Sequence, residues 1–408
     1  MAIELYNQSW NNIRGVIQKG VDGNSHFLPN PLKRLQSTFN IVPGRFTLLG
    51  STSGGGKSAF IDDLYIMKTF LNLKKYQPDA TYEVLYYAME RNIESKHLKW
   101  LSWMVHYKTG WIVAPEDLAG RNVEGPPNEK LLKVIDELKD TFVELTDRVD
   151  IYDSRISAEL IRKHVIAKAR KLGRLFKADS TGVTIDDNLA YIATFSEKKK
   201  KLLSDGSEVM YVDLEYKGEK FILFPDKHKY FPHNPKTYMF IILDGVGIID
   251  ASDFSSTKAA VDNVTNLLAD ARDVYSFNPV MVSQFNRGIA DSQRAKMHGA
   301  ALAPQESDFK DSSNMYQAAD LAIGLFDPFK FKAYNKEGLY GGYDIINGMM
   351  SPFGHNRFRS AHVLKNTYGK DGGIFGMKFL GEMGRFEALP IADSLEIHEV
   401  YATIASGK

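Results

Sequence analysis

The chain has no cysteine among its 408 residues. That excludes disulfides and thiolate metal sites, and it fits a reducing compartment. It also lacks any stretch near the roughly 20 apolar residues that a membrane-spanning helix needs. The N-terminal stretch MAIELYNQSWNNIRGVIQKG has no apolar core followed by a small-residue cleavage site, so no secretory signal is expected. A cytoplasmic location without membrane contact is the expectation. Excess charge of either sign is missing too. Lys and Arg number 51 against 50 Asp and Glu, a formal net charge of +1. A nucleic-acid role would therefore need a local patch, such as the lining of a channel. No internal repeat is visible. What remains is the composition of a globular protein, 44% apolar and 25% charged. The length suits one large domain or two ordinary ones.

Residues 4–20 place Trp10, Ile13, Val16 and Ile17 at helical spacing, ahead of a Gly-, Asn- and Pro-containing linker from Gly20 to Pro31. Such a helix either packs on its own domain or docks on a neighbouring subunit. From about residue 40, apolar strand-like runs alternate with helical patterns. The strand-like runs are FTLLG, EVLYYAM, VDIYD, YMFIILDG, PVMVSQ, ADLAIGLF and AHVLKN. The spacing predicts one helix over Ser157–Gly173, with Ser157 as N-cap and Gly173 as stop, and another over Thr257–Ser276. Alternation of this kind predicts a mostly parallel sheet covered on both faces. Residues 174–236 break the rhythm with a lysine run, EKKKKLLSDG, and two strand-like segments around a Lys-Gly turn. They read as an inserted hairpin. The lysine run is either a solvated surface or a nucleic-acid contact.

The chemistry begins at RFTLLGSTSGGGKSAFIDD, residues 45–63. A buried-type strand, a Gly-rich turn and a helix make the context of a phosphate-binding loop. Ser53, Gly54, Gly55 and Gly56 would supply converging backbone N–H groups, Lys57 would reach the outer phosphates, and Ser58 would hold Mg²⁺. The usual spacing wants a glycine where Ser51 stands; the nearest, Gly50, is one residue early. Asp244 ends the apolar strand YMFIILD, where ligands bind in open α/β sheets, and can serve the Mg²⁺ water shell. Glu90 ends EVLYYAME and can activate water. Gln284 ends PVMVSQ and can touch a terminal phosphate, and Asn286 and Arg287 then open a basic loop. Each has an ordinary alternative: a strand-end turn, a helix-start acid or a surface loop.

The order of these pieces resembles the RecA-fold core of the DnaB-type replicative helicases, bacterial and phage. SQFNR matches the family's Ser-Gln-Leu-Asn-Arg. DFKDSSNMYQAADL follows the family's pattern without a gap, and IILDG and LKNTYG fall in place. The family's loop often lacks the first glycine. The resemblance spans about residues 30–173 and 237–390 and leaves out the inserted block. It implies an α/β fold: a RecA-like P-loop NTPase core over 40–390 with the insertion at 174–236, a linker helix within 1–39 and a tail over 391–408.

The resemblance further implies ATP and Mg²⁺ at Lys57 and Ser58, Glu90 as catalytic base, Asp244 as the metal-side carboxylate and Gln284 as phosphate sensor. Lys310, Asp311 and Ser313 match the loop that grips single-stranded DNA inside a six-membered ring, and Arg287 lies in the neighbouring channel loop. Lys365 matches the residue presented to the ATP of the adjacent subunit. Two residues later the family usually has an arginine finger; this chain has Thr367. Such a finger is worth a rate factor of ~10³ or more in related hydrolases, and a hydroxyl does not replace a guanidinium. Lys370, then Arg357 and Arg359, are the nearby cations that would substitute. The implied function is an ATP-driven, ring-forming helicase or translocase on single-stranded DNA, with primase or a helicase loader as further partners. The bacterial enzymes' helical collar has no counterpart here, which suits a phage or mobile element acting in its host's cytoplasm. A filament-forming recombinase or repair ATPase, and an ATP-binding ring or scaffold with little hydrolysis, are the alternatives.

Overall fold

A computed structural model describes residues 10, 13–14, 17–18, 20–22, 26–88, 92–121, 127–180, 182–186, 193–194, 200–202, 206–246, 249–290, 301–309 and 313–407; of Thr194, Lys201, Leu202, Arg287, Ala290 and Ser313 it gives the backbone only. Most of the N-terminal helix expected over 4–20 and most of the lysine run lie outside these residues.

Strands that read as unbroken apolar runs become the middle of one sheet, because covering both faces leaves no solvent side to alternate toward. In chain order the strands are β1 (Thr47–Ser51), β2 (Thr81–Ala88), β3 (Val149–Tyr152), β4 (Thr237–Asp244), β5 (Asn278–Gln284), β6 (Leu321–Phe326), β7 (Phe358–Asn366), β8 (Ile374–Leu380) and β9 (Arg385–Ala388). They lie in the order β9-β8-β7-β6-β1-β5-β4-β2-β3. The six from β6 to β3 are parallel; β7, β8 and β9 extend the sheet antiparallel. The mixed α/β architecture and mostly parallel sheet expected from the sequence are therefore present.

Alternate residues face two cores. Leu48, Leu85, Ile241 and Met281 pack under the helices Ala158–Leu172, Thr257–Tyr275 and Glu396–Ala405. Leu49, Val84, Ile242 and Val280 pack under the helix that follows the Gly-rich loop, Ile93–Thr109 and Glu129–Thr146. The segment read as a C-terminal tail contributes to the first core, burying Ile397 and Ile404.

The caps are local. Asn92, Ser157 and Ser256 accept backbone N–H bonds from Ser95, Leu160 and Ala259 at the starts of their helices. Gly173 does not stop its helix through a left-handed turn. Its backbone is extended, and it opens the strand Gly173–Ala178 directly. It is glycine because a Cβ would stand 2.4 Å from Phe231 O.

The inserted block is larger than one hairpin. The expected pair, Val212–Tyr216 and Glu219–Leu223, turns through Lys217 and Gly218, both with positive φ. Beside it Gly173–Ala178 pairs with both His228–Pro232 and Gly182–Ile185. Phe176, Phe221 and Phe231 form a separate small core at centroid distances of 5.0–5.5 Å.

Candidate nucleotide site

The register of the parallel strands brings the predicted residues to one edge. Ser51 pairs with Gln284. Asp244 lies opposite both Val282 and Ala88. The carboxyl ends of β1, β5, β4 and β2 thus carry the Gly-rich loop, Gln284, Asp244 and the chain leading to Glu90. Glu90 itself lies outside the described residues.

The loop's glycines have separate physical reasons. Gly54 (φ 73°) and Gly56 (φ 95°) adopt the left-handed region. A Cβ on Gly55 would stand 1.9 Å from Ser51 Oγ. Ser51 needs no such freedom: it is the last residue of β1, in ordinary strand pairing with Gln284 and Leu325. Gly50 serves packing, since a Cβ there would stand 2.2 Å from the Phe285 ring and 2.5 Å from the Phe309 ring. Ser51 Oγ and Thr52 Oγ1 are buried and have no hydrogen-bond partner among the described residues.

Lys57 begins the helix with its Nζ donating to Thr52 O at 3.3 Å, and Ser58 follows, half-buried. The helix then widens to π geometry over Asp62–Lys68 before resuming as Thr69–Tyr76, a distortion common at functional sites. The widened turn carries two buried carboxylates. Asp63 accepts from Trp103 Nε1 at 2.7 Å and pairs with Lys68 at 2.6 Å; burial pushes its carboxyl up despite that partner.

Asp62 and Asp244 share two partners, Lys96 and Tyr86. Lys96 Nζ lies 3.3 Å from both Asp62 oxygens, 2.5 Å from Tyr86 Oη and 3.9 Å from Asp244 Oδ2. The Tyr86 hydroxyl donates to Asp62 at 2.8 Å and stands 3.4 Å from Asp244. Burial, then the two carboxylates, hold its pKa well above 10, so it stays a donor. Lys96 is 2% exposed and Asp244 5%. Sequence reading missed Lys96, although Lys96, Trp100 and Trp103 at i, i+4 and i+7 share the buried face of one helix.

A second cation also reaches the loop. Lys330, in the turn after β6, donates from Nζ to Ser53 O at 2.8 Å. No motif in FDPFKFK marks it. Its turn is held by Asp327, which accepts from the Lys330 backbone N–H at 3.1 Å and pairs with Arg359 at 3.0 Å. Arg359 lies over the Phe379 ring, and Phe379 and Phe386, stacked at 4.4 Å, cover Gly56. Asp327, Arg359, Phe379 and Asn356 line a cavity of about 390 Å³ beside the loop. Arg359 Nε has no partner among the described residues.

Beyond Gln284 the chain is zipped to the next predicted loop. Phe285 N–H donates to Ser51 O at 2.8 Å, and Asn286 N–H to Asp308 O at 2.7 Å. Phe285 and Phe309 form an isolated bridge with rings edge-to-face at 5.2 Å. Arg287 sits in the short turn that follows. Its side chain, Lys310 and Asp311 lie outside the described residues, and Ser313 opens the helix Ser313–Ala318.

Lys365 is elsewhere. It pairs with Ala322 near the amino end of β6, and its Nζ donates to Tyr316 O and Gln317 O at 2.9 Å each; burial lowers its pKa. Thr367 N–H donates to Asp320 O at that same end, and Lys370 lies exposed in the turn beyond. Arg357 forms a two-pronged pair with Glu382. With Arg359 held by Asp327, both arginines proposed as finger substitutes are engaged within the chain. Among the described residues no group of three or more His, Asp or Glu side chains is placed to hold a metal ion. Mg²⁺ at nucleotide sites takes most of its ligands from phosphate and water rather than from a side-chain cage.

No protein-family model matches the chain, and no curated protein matches it in sequence. Solved structures do share its fold. One, described as an ATPase domain, aligns with a TM-score of 0.58 over 93% of this chain and 98% of that one, at 12% identity. A DnaB-like replicative helicase, described with its interactions with primase, aligns with a TM-score of 0.54 over 89% of this chain at 12% identity; the alignment covers 63% of that chain. The fold is thus that of the RecA-like P-loop cores of such proteins.

Proposed function

We propose that this chain is an ATP hydrolase that assembles with its own copies into a ring, six-membered as in the resembling family, and moves along single-stranded DNA as a helicase. The observation that carries the reading is the single edge where the Gly-rich loop, Gln284 and Asp244 meet, with Gln284 running straight into the zipped junction Phe285–Phe309. In this reading, Lys57 and the loop N–H groups bind the phosphates. Ser58 and Asp244 would hold Mg²⁺, which would supply charge neutralisation at the phosphates. Glu90 takes the proton of the attacking water. The base and ribose enter the cavity lined by Arg359 and Phe379, whose size suits such a group.

Gln284 contacts the terminal phosphate, and its loss on hydrolysis shifts the junction that carries the Arg287 loop and the Lys310–Ser313 segment. Those loops grip the DNA backbone, so binding is sequence-independent and weakens with salt. Lys365 and Lys370 sit at the far end of the sheet and serve only the nucleotide of a neighbouring subunit. Trp10, Ile13, Ile17 and Val21 are exposed apolar residues ahead of the core, which favours docking of that segment on a neighbour. Primase or a loader is the expected further partner.

The test is a DNA-stimulated ATPase assay beside a forked-duplex unwinding assay. Wild type should show both activities, and Lys57→Ala should lose both. Imaging with a non-hydrolysable ATP analogue and single-stranded DNA should show rings; filaments would favour a recombinase. Tight ATP binding without DNA-stimulated turnover would favour the scaffold reading, which Thr367 supports.

A further inference from the structure

Two ammonium groups rest on consecutive carbonyls of the phosphate loop, Lys57 on Thr52 O and Lys330 on Ser53 O. Lys330 Nζ stands 4.0 Å from the point where a Cβ on Gly54 would be, at the loop's tip. Its backbone is fixed by Asp327, and Asp327 by Arg359. Its side chain is exposed and makes its described hydrogen bond through Nζ alone. The base of the arm is held by Asp327, and its end is exposed, resting on Ser53 O and 5.9 Å from the centre of the Phe331 ring.

A neutral carbonyl is a modest partner for an ammonium. A phosphate oxygen carries charge, and charge-assisted hydrogen bonds are roughly twice as strong. Lysine's point charge on a flexible stem suits such an exchange of partners. In the proposed reading a further cation is wanted at this loop. Thr367 stands where a guanidinium would act in trans, and Arg357 and Arg359 are tied to Glu382 and Asp327.

We propose that Lys330 is a second phosphate-binding cation of the same chain, leaving Ser53 O for the terminal phosphates of a bound nucleoside triphosphate and offsetting charge that the absent arginine would have met. The proposal rests on the nucleotide reading above. In it the triphosphate is held from two sides of the loop tip, by Lys57 from the helix and by Lys330 from the turn after β6. A diphosphate, lacking the outermost group, engages Lys330 less.

The experiment measures binding of ATP, with Mg²⁺ withheld to prevent turnover, and of ADP to the full chain, by calorimetry, for wild type, Lys330→Ala, Lys330→Arg and Lys57→Ala. Lys330→Ala should weaken ATP at least ten-fold and ADP clearly less, so that the ATP-to-ADP preference falls. Lys330→Arg should restore most of that preference. Unchanged ATP affinity in Lys330→Ala would overturn the assignment. So would equal weakening of ATP and ADP without rescue by arginine, which would mark Lys330 as a packing residue of the loop. If wild type and Lys57→Ala alike bind neither nucleotide, the nucleotide reading falls, and the Lys330 assignment with it.

Discussion

At Gly55 a Cβ would stand 1.9 Å from Ser51 Oγ and 3.1 Å from Thr52 O. The residue that departs from the usual loop spacing therefore sets the demand for glycine four positions later. Gly55→Ala should abolish ATP binding in a calorimetric titration while leaving the far-UV spectrum unchanged. Adding Ser51→Gly removes the closest clash and should restore part of the affinity; no recovery would mean that Thr52 O is the limiting contact. Gly55 was legible as a loop glycine, but its reason was not, because only the fold brings the Ser51 side chain under it. Lys330 was illegible for the same cause: it is far from the loop in sequence and reaches it only through the placement of β6 beside β1.

At the scale of elements, the apolar strands were legible because a strand buried on both faces has no polar alternation to blur it. The helix Ile93–Thr109 was harder to read. Its sequence IESKHLKW looks like a charged surface, yet Lys96 points inward onto Asp62 from the widened turn. A buried ion pair is weak evidence of net stability, whereas half of one is costly. Lys96→Met leaves Asp62 unpaired and should destabilise the chain by about 3–5 kcal/mol in urea unfolding. Asp62→Leu with Lys96→Leu removes that pair but leaves buried Asp244 without its cation, so it should recover part of the loss and not all of it. If the double variant is as unstable as the single one, packing rather than charge sets the cost. The insertion was read as one hairpin because two strand-like segments flank a Lys-Gly turn. GRLFKA has no such punctuation: it follows a helix without a turn and was absorbed into the break after Gly173.

At the scale of the whole molecule, the inserted block has its own core, Phe176, Phe221 and Phe231, apart from the two that cover the sheet. A unit with its own core is expected to open as one cooperative piece. Phe221→Ala, which removes a buried aromatic worth about 3–5 kcal/mol, should abolish hydrogen-exchange protection within residues 173–232 alone. ATP affinity should hold. Loss of protection across the nine-stranded sheet would show that insertion and core unfold together.

Lys365 lies at the amino end of the parallel strands and the Gly-rich loop at their carboxyl end, so in the proposed assembly each chain would be a donor at one pole and an acceptor at the other. Copies joined pole to pole meet through two different surfaces, a head-to-tail contact that either closes on itself or runs on. A closed circle of n copies contains n complete sites. A broken one contains n − 1, with an unserved loop at one end and an idle lysine at the other. In the proposed ring, opening the circle to admit a DNA strand would therefore silence one site and spare the rest.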